Sequence, residues 1–342
     1  MRAPKSAVVA LVCLCLTALL LGGCSAGSDN SGKAGEKPAG AAGSDGGGFP
    51  RTMHNVWGDV TIHKKPKRVV ALGYADVAVA AALDANIVGA VQSYGSVAKV
   101  GSERNLPYGK RLSESVTWLN PMDIGAERIA RLEPDLILAN AAFTLNEPTY
   151  KLLNAVAPVV TYEQGLYRTP WVDEARRIAR ALGADAAAEQ LIDDSRQAIT
   201  DLRARRPKLE GRTYLYGQAR AGVAVMVVDD DNLTARFMSE LGLVPLPSVA
   251  GLGGKGSVPG TVDVSLEHAG LFEDAGVLFM TYQSPELQQR FENDPIVARL
   301  AIMKTRYVPL DIEAATALQA PNAAAVPWLL DRLRDGLNRI PV

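Results

Sequence analysis

The side chains best suited to chemistry in this chain are aromatic residues and arginines, rather than nucleophiles or metal ligands. Arg168 and Arg220 carry planar guanidinium forks that suit anionic oxygens. Tyr74, Tyr94, Trp118, Tyr167, Tyr216 and Tyr282 add flat walls, all but the tryptophan with a phenol. Plain readings exist for several of them: each arginine as a solvated loop charge, Tyr216 as a strand-core residue. Catalytic and metal-binding sets do not form by comparison. His54, His63 and His268 are scattered, which argues against a His-cluster metal site. Cys13, Cys15 and Cys24 all lie near the start, so the body has no disulfide and no thiol chemistry. Nothing fits GxSxG. Asp229-Asp230-Asp231 lacks the alternating spacing of a calcium loop and reads as a turn and helix cap before Leu233. Gly251 to Gly256 fits GxGxxG, yet Val258-Pro259-Gly260 follows it and leaves no helix to hold a pyrophosphate.

The elements that position these residues alternate strand with helix. Arg68-Val69-Val70-Ala71-Leu72 is a continuous apolar run suited to a buried parallel strand. Gly73-Tyr74-Ala75-Asp76 turns it into a helix from Val77 to Leu83. Ile87 to Val91, Leu136 to Ala139 and Val159 to Thr161 read as further strands. A hairpin around Gly58-Asp59 precedes them. Ala186 to Arg206 contains no Gly or Pro, and Leu191, Ile192, Ser195, Ile199 and Leu202 recur at helical spacing. This predicts one long helix in the middle of the body. The alternation then resumes with Thr213 to Tyr216, Val223 to Val228, a helix from Leu233 to Leu241 and a strand at Val277 to Met280. A last helix runs from about Ala323 to Leu337. One phrase occurs twice: the same spacing separates Asp123 from Asp263, Glu127 from Glu267, Glu133 from Glu273 and Leu138 from Leu278. Related copies would produce this, with the long helix between them.

In open parallel sheets, ligands lie beyond the carboxyl ends of the strands. That rule selects the loops carrying Tyr74, Tyr94, Trp118 and the Tyr162 to Trp171 stretch, which contains Tyr167 and Arg168. In the second half it selects Gln218 and Arg220 after Tyr216, and Tyr282 after Met280. Trp171 opens a helix and reads as core.

Arg2 and Lys5 followed by the apolar run Ala7 to Leu21 have the anatomy of a secretion signal. Leu21-Gly22-Gly23-Cys24 resembles the lipobox of bacterial lipoproteins, which implies that Cys24 receives the lipid and becomes residue 1 of the mature chain; the plain reading is an ordinary signal peptide or an uncleaved anchor. Ser25 to Gly48 is Gly-rich, has no Val, Ile, Leu or aromatic residue, and reads as a flexible tether. Lys+Arg 36 against Asp+Glu 37 gives a net charge of −1, so nucleic-acid binding has no electrostatic footprint. The expected layout is a signal peptide (1–23), tether (24–49), N-terminal α/β lobe (50–183), connecting helix (184–207) and C-terminal α/β lobe (208–342).

From about His54 to Leu337 the chain resembles the substrate-binding lipoproteins of iron–siderophore, corrinoid and haem ABC importers. The resemblance rests on Pro66-Lys67-Arg68-Val69-Val70, on Glu127-Arg128-Ile129 with Glu133-Pro134-Asp135-Leu136-Ile137, on Trp171 with Ala181-Leu182-Gly183, and on Val264-Ser265-Leu266-Glu267. It implies a class III periplasmic-binding-protein-like α/β fold: two lobes with mostly parallel central sheets, joined by a single long rigid helix, and ligand between them. It implies a monomeric, lipid-anchored, extracytoplasmic binding protein and not an enzyme. Its partners would be a ferric siderophore and an ABC permease with its cytoplasmic ATPase. A siderophore surrounds its own iron, so no cofactor and no protein metal ligand is needed. Glu127 and Glu267, one per lobe, would dock on permease arginines; their plain reading is a carboxylate favoured at a helix start. Haem or a corrinoid is the alternative cargo, with Tyr74, Tyr94 or Tyr282 available to haem as an axial ligand. An exported hydrolase is the remaining alternative.

Overall fold

Short runs that are apolar on both faces become strands covered on both sides. The computed structural model describes residues 48–94, 103–252, 256–257 and 260–341. All of them belong to one compact unit, Gly46–Val342. The signal segment, Cys24 and nearly all of the tether lie outside the described residues, as do 253–255 of the glycine-rich stretch.

A hairpin of β1 (Arg51–Met53) and β2 (Val60–Ile62) opens the body. Its first strand ends well before the Gly58-Asp59 turn, because Asn55 makes other contacts. The Asn55 side chain donates to Val159 O (2.9 Å) and accepts from Thr161 N (3.0 Å), which pins the connection to the sheet. The first sheet contains β3 (Val69–Ala71), β4 (Ile87–Val91), β5 (Thr117–Leu119), β6 (Leu136–Ala139) and β7 (Val159–Thr161). Its order is β5-β4-β3-β6-β7, and every pairing is parallel. Among the described residues the helices of this half are α1 (Tyr74–Ala82), α2 (Ala126–Ala130), α3 (Glu147–Asn154) and α4 (Trp171–Leu182). The structure starts α1 at Tyr74, three residues before the sequence expectation, so Tyr74 and Asp76 sit in its first turn rather than in a loop.

α5 (Asp185–Arg205) is the long helix, within one residue of its predicted limits. Ala188, Ile192, Ser195, Ile199 and Leu202 are its buried stripe. Ser195 Oγ donates to Ala323 O at 2.6 Å, which ties the helix to the start of the last helical segment.

Beyond α5 come β8 (Arg212–Arg220), β9 (Val223–Val227), α6 (Leu233–Glu240), β10 (Leu243–Pro245), α7 (Pro247–Ala250) and β11 (Thr261–Ser265). A 3-10 segment, Leu266–Asp274, leads to β12 (Leu278–Thr281), α8 (Pro285–Glu292), α9 (Ala301–Thr305), β13 (Tyr307–Leu310), α10 (Ile312–Gln319) and α11 (Val326–Arg339). α11 packs on α5. The second sheet runs β11-β9-β8-β12-β13, with β10 also on β8. β8 pairs in parallel with β10 and β12, but β9 and β11 are antiparallel to their neighbours. The predicted strand Val223 to Val228 is therefore the return arm of a hairpin and not a new parallel strand. The Asp229 turn holds as read, with Asp229 Oδ1 accepting from Asp231 N at 2.9 Å, but the cap of α6 is Asn232.

The segments sharing a phrase occupy matching places. One precedes β6 and the other precedes β12, and each of these strands lies between the first strand of its sheet and a parallel edge strand. The fold is α/β, with two sheet-centred lobes joined by one long helix.

Candidate functional site: a cleft between the lobes

A cavity of about 640 Å³ lies between the two sheets and has walls from both lobes. From the first lobe come Tyr74, Tyr94, Phe143, Leu166, Tyr167 and Arg168. These follow the carboxyl ends of β3, β4, β6 and β7, where a parallel sheet leaves its loops.

The second lobe contributes in a different way. Tyr216, Gln218 and Arg220 alternate along β8 and Val225 and Val227 along β9, so strand faces themselves form the wall. Ile312, Ala315, Thr316 and Gln319 of α10 form another part of it. The sequence reading missed this helix. Asp311 before it was an available signal, since its carboxylate accepts from Ala314 N at 2.8 Å as an N-cap.

Six of the eight residues selected from sequence thus line one cavity: Tyr74, Tyr94, Tyr167, Arg168, Tyr216 and Arg220. The other two do not, and each has a clear reason. Trp118 sits in edge strand β5, not in a loop, and faces a separate hollow of about 300 Å³ near Arg104 and Arg111. Tyr282 continues the alternation of β12 onto the far face of the sheet. There its hydroxyl meets that of Tyr307 at 2.8 Å and its ring packs on Phe291. The next residue, Gln283, lines the cavity instead.

The arginines come from opposite lobes and are both exposed. Arg168 makes no ion pair or hydrogen bond among the described residues. Arg220 donates to Ser257 Oγ at 2.8 Å, and that hydroxyl donates in turn to Asp263 Oδ1 at 3.1 Å. Tyr167 beside Arg168 has φ 57°, the left-handed region that side chains other than glycine seldom occupy. Tyr74 is buried and its hydroxyl has no hydrogen-bond partner; the same holds for Tyr108. Burial, then the nearby Glu313 carboxylate, push both phenols far above the usual tyrosine range, so both stay protonated.

Behind the first-lobe wall lies a polar network that sequence reasoning missed. Asp76 is fully buried and accepts from Asn140 Nδ2 (2.7 Å) and Ala141 N (3.2 Å). Burial raises its carboxyl to about 6 against those bonds. Glu174 on α4 is buried nearby and is pushed well above the usual range, by burial first and by Asp76 second. Arg177 donates to Asn140 Oδ1 (3.0 Å), Thr161 O (2.6 Å), Asn55 Oδ1 (2.8 Å) and Glu163 Oε1 (2.6 Å). It rivets the ends of β6 and β7 to the opening hairpin, which holds the loops that reach the cavity. Nothing in the local sequence distinguishes Arg177 from the other charges of an amphipathic helix.

The lobes also touch away from the cavity. Trp171, the core residue at the start of α4, donates through Nε1 to both oxygens of Glu240 on α6 at 3.1 Å. The Tyr108 ring packs at a tilt against Trp328 of α11, with centroids 5.3 Å apart. Ser93 hydrogen-bonds to Glu313. Glu127 is exposed in the first turn of α2, with Arg131 3.9 Å from its carboxylate, and Glu267 is exposed at the start of the 3-10 segment.

Two sheet-centred lobes, one connecting helix and a cleft between them define a ligand-binding protein of the class III periplasmic type. The chain belongs to the periplasmic binding protein family, which it matches over residues 69–311. It is 28% identical over 237 residues to the Fe(3+)-citrate-binding protein YfmC of Bacillus subtilis; the match covers 65% of this chain and 65% of that relative. Among solved structures it resembles a periplasmic solute binding protein of Mycobacterium smegmatis at 26% identity, covering 84% of this chain and 98% of that one, with a TM-score of 0.70. It shares its fold with Staphylococcus aureus SirA complexed with staphyloferrin B, at 20% identity, 84% and 98% coverage and a TM-score of 0.66.

Proposed function

We propose that this protein captures a ferric siderophore between its lobes and delivers it to an ABC importer at the outer face of the cell membrane. One observation carries the reading: the interlobe cavity combines tyrosine walls with an arginine from each lobe. Such a site suits a bulky chelate that presents oxygen atoms on an apolar frame. The iron-citrate relative and the shared fold with a siderophore complex support the same class of cargo. Tyr74, Tyr94, Tyr167, Arg168, Tyr216 and Arg220 are the proposed contacts. Cys24, at the end of the signal segment 1–23, is the proposed lipid anchor, and residues 24–49 the tether to a monomeric body. Glu127 and Glu267 are the proposed permease contacts.

The test is quenching of intrinsic fluorescence against a panel of ferric siderophores, ferric citrate, haem and a corrinoid. At least one ferric chelate should bind with submicromolar affinity, and more tightly than its iron-free form. Arg168→Ala and Arg220→Ala should each cost about 1–3 kcal/mol of binding, the worth of charge-assisted hydrogen bonds. Binding of haem or corrinoid alone would overturn the reading. Cys24→Ala should release the protein from the membrane fraction.

A further inference from the structure

The two walls of the cavity offer different hydrogen-bonding groups. Among the described residues, the first-lobe wall carries tyrosines, two apolar side chains and Arg168, with no carboxamide and no carboxylate. A guanidinium can only donate, and a phenol donates readily to an anionic oxygen. The second-lobe wall carries Gln218, Gln283 and Gln319, and also Asp229 and Asp231. These add acceptor oxygens that the opposite wall lacks outside its phenols.

Three separate elements deliver the glutamines. Gln218 alternates with Tyr216 and Arg220 on the cavity side of β8. Gln283 follows Tyr282, whose ring packs on the far face of the sheet, so the alternation turns Gln283 to the cavity. Gln319 shares one face of α10 with Ile312, Ala315 and Thr316, which line the cavity at helical spacing. Several other polar side chains of this wall are engaged within their own lobe. Asn232 Oδ1 accepts from Thr234 N at 2.9 Å, Thr234 Oγ1 donates to Leu318 O at 2.8 Å and Thr316 Oγ1 donates to Ile312 O at 2.7 Å. Asp231 is paired with Arg236 at 2.7 Å. The three glutamines differ. Gln218 is half-buried, Gln283 and Gln319 are exposed, and their side-chain amides make no hydrogen bond among the described residues.

Resting on the siderophore reading, we infer that the cargo is a ferric chelate on an amide-bearing frame, held with that frame against the second lobe, where Gln218, Gln283 and Gln319 accept from its N–H groups. The chelating oxygens then meet Arg168 and Arg220. A secondary amide carries one donor and one acceptor, and a carboxamide side chain answers both. Ferric citrate offers its free carboxylates only as acceptors. It would leave the glutamine carbonyls without donors and bring anionic oxygens toward Asp229. A site built to accept from an N–H discriminates against an analogue that lacks it, because its own polar groups are then left unpaired.

The experiment titrates wild type and single glutamine variants with three probes: a ferric tris-hydroxamate on a peptide frame, the same chelate with its frame amides N-methylated, and ferric citrate. The first two share an iron centre and differ in N–H donors. Wild type should bind the N–H chelate at least about tenfold more tightly than the N-methylated one or citrate. Gln218→Met, Gln283→Met and Gln319→Met should each lose about fivefold toward the N–H chelate, the scale of one neutral hydrogen bond, and little toward the other two. Gln283→Glu and Gln319→Glu keep an acceptor and should keep the preference for the N–H chelate. Melting temperatures should hold throughout, because none of these amides has a partner in the ligand-free fold. Equal binding of the N–H and N-methylated chelates by wild type, or tighter binding of citrate, would overturn this inference and leave the siderophore reading intact. Equal losses toward all three probes in the Met variants would overturn it as well, since the glutamines would then act without reading the N–H groups. Binding of no ferric chelate would remove both readings.

Discussion

The two lobes build their halves of the cleft from different parts of a sheet. Both contain the same parallel trio, β3-β6-β7 in one and β8-β12-β13 in the other. They part on the other side of the first strand. In the first lobe β4 pairs with β3 in parallel over its length. In the second, β9 returns antiparallel against Gly217 to Arg220, and β10, which follows α6 as β4 follows α1, is left with Arg212 to Tyr214. The hairpin takes the place a parallel neighbour would hold. A loop-end site thereby becomes a strand-face site, with Tyr216, Gln218 and Arg220 projecting from β8. The rule that ligands sit beyond strand ends describes the first lobe fully and the second only in part.

The largest expected consequence concerns where acid is buried. The first lobe keeps Asp76 and Glu174 behind its wall, whereas Asp229 and Asp231 of the second lobe are exposed. Asp76 has a folded pKa raised from 3.8 to about 6. Its stabilising share is complete below the unfolded value and is lost as pH rises through about 6, because the folded chain pays for the buried charge above that point. The shift corresponds to about 3 kcal/mol of stability lost between about pH 4 and pH 7. Urea unfolding of wild type and Asp76→Asn at both pH values reads the difference. The variant should show a flatter dependence by that amount, and equal slopes would place the pH sensitivity elsewhere.

A second contrast sets Gly73 against Gly217, each where the first strand of its sheet meets the cleft. A Cβ on Gly73 would stand 2.6 Å from the carbonyl carbon of Ala141 and 2.5 Å from Asp76 Oδ2. A Cβ on Gly217 would meet the Met226 sulfur first and then Val225 O at 2.6 Å. Alanine at either should cost about 1–3 kcal/mol by overpacking. Gly73→Ala should lie at the upper end, because its neighbours are backbone and a buried hydrogen-bonded carboxylate. At Gly217 only Val225 O is fixed backbone, since the Met226 side chain is flexible and can swing away. Thermal denaturation of both variants makes the comparison, and a larger loss at Gly217 would reverse it.

What could be read from sequence follows the same division. Val69 to Ala71, Leu136 to Ala139 and the stripe of α5 were legible because burial on both faces, or on one helical stripe, leaves a pattern. Tyr94, Tyr167 and Arg168 were legible because parallel strands hand their loops to one edge. Trp118 and Tyr282 were misplaced because their side depends on pairing and alternation, which local composition does not specify. A six-residue run such as Val223 to Val228 reads alike as a parallel or a returning strand. Asp76 and Arg177 went unread because their roles arise from partners distant in sequence, such as Asn140 and Thr161, whereas α10 carried a local signal in its Asp311 cap.

The contact between the lobes at Trp171 and Glu240 gives a smaller effect. Trp171→Phe keeps most of the buried ring and removes the indole donor shared by both carboxylate oxygens. Glu240 is half-buried and raised by burial, a cost that this donor offsets. The variant should lose about 1 kcal/mol in urea unfolding, with an unchanged dependence on urea. An unaltered stability would mean that the two lobes are held on this side by packing alone.

The smallest effect on the folded protein should come from Glu127 and Glu267, which treat the lobes alike. Both are exposed at the start of a helical segment, and neither lines the cavity. Replacing both with alanine removes two modest helix-start contributions, each about 0.3–1 kcal/mol, so the double variant should fold normally. Ligand affinity should match wild type. Under the proposed docking role uptake should still fall, because the two carboxylates, one per lobe, would set the register on the transporter. The measurement pairs siderophore-dependent iron uptake with binding in solution. A single variant should lose part of the uptake and the double variant more than either. Full uptake in the double variant would return both residues to the role of helix-start carboxylates, and would leave the asymmetric cleft as the only place where the two lobes act on the same partner.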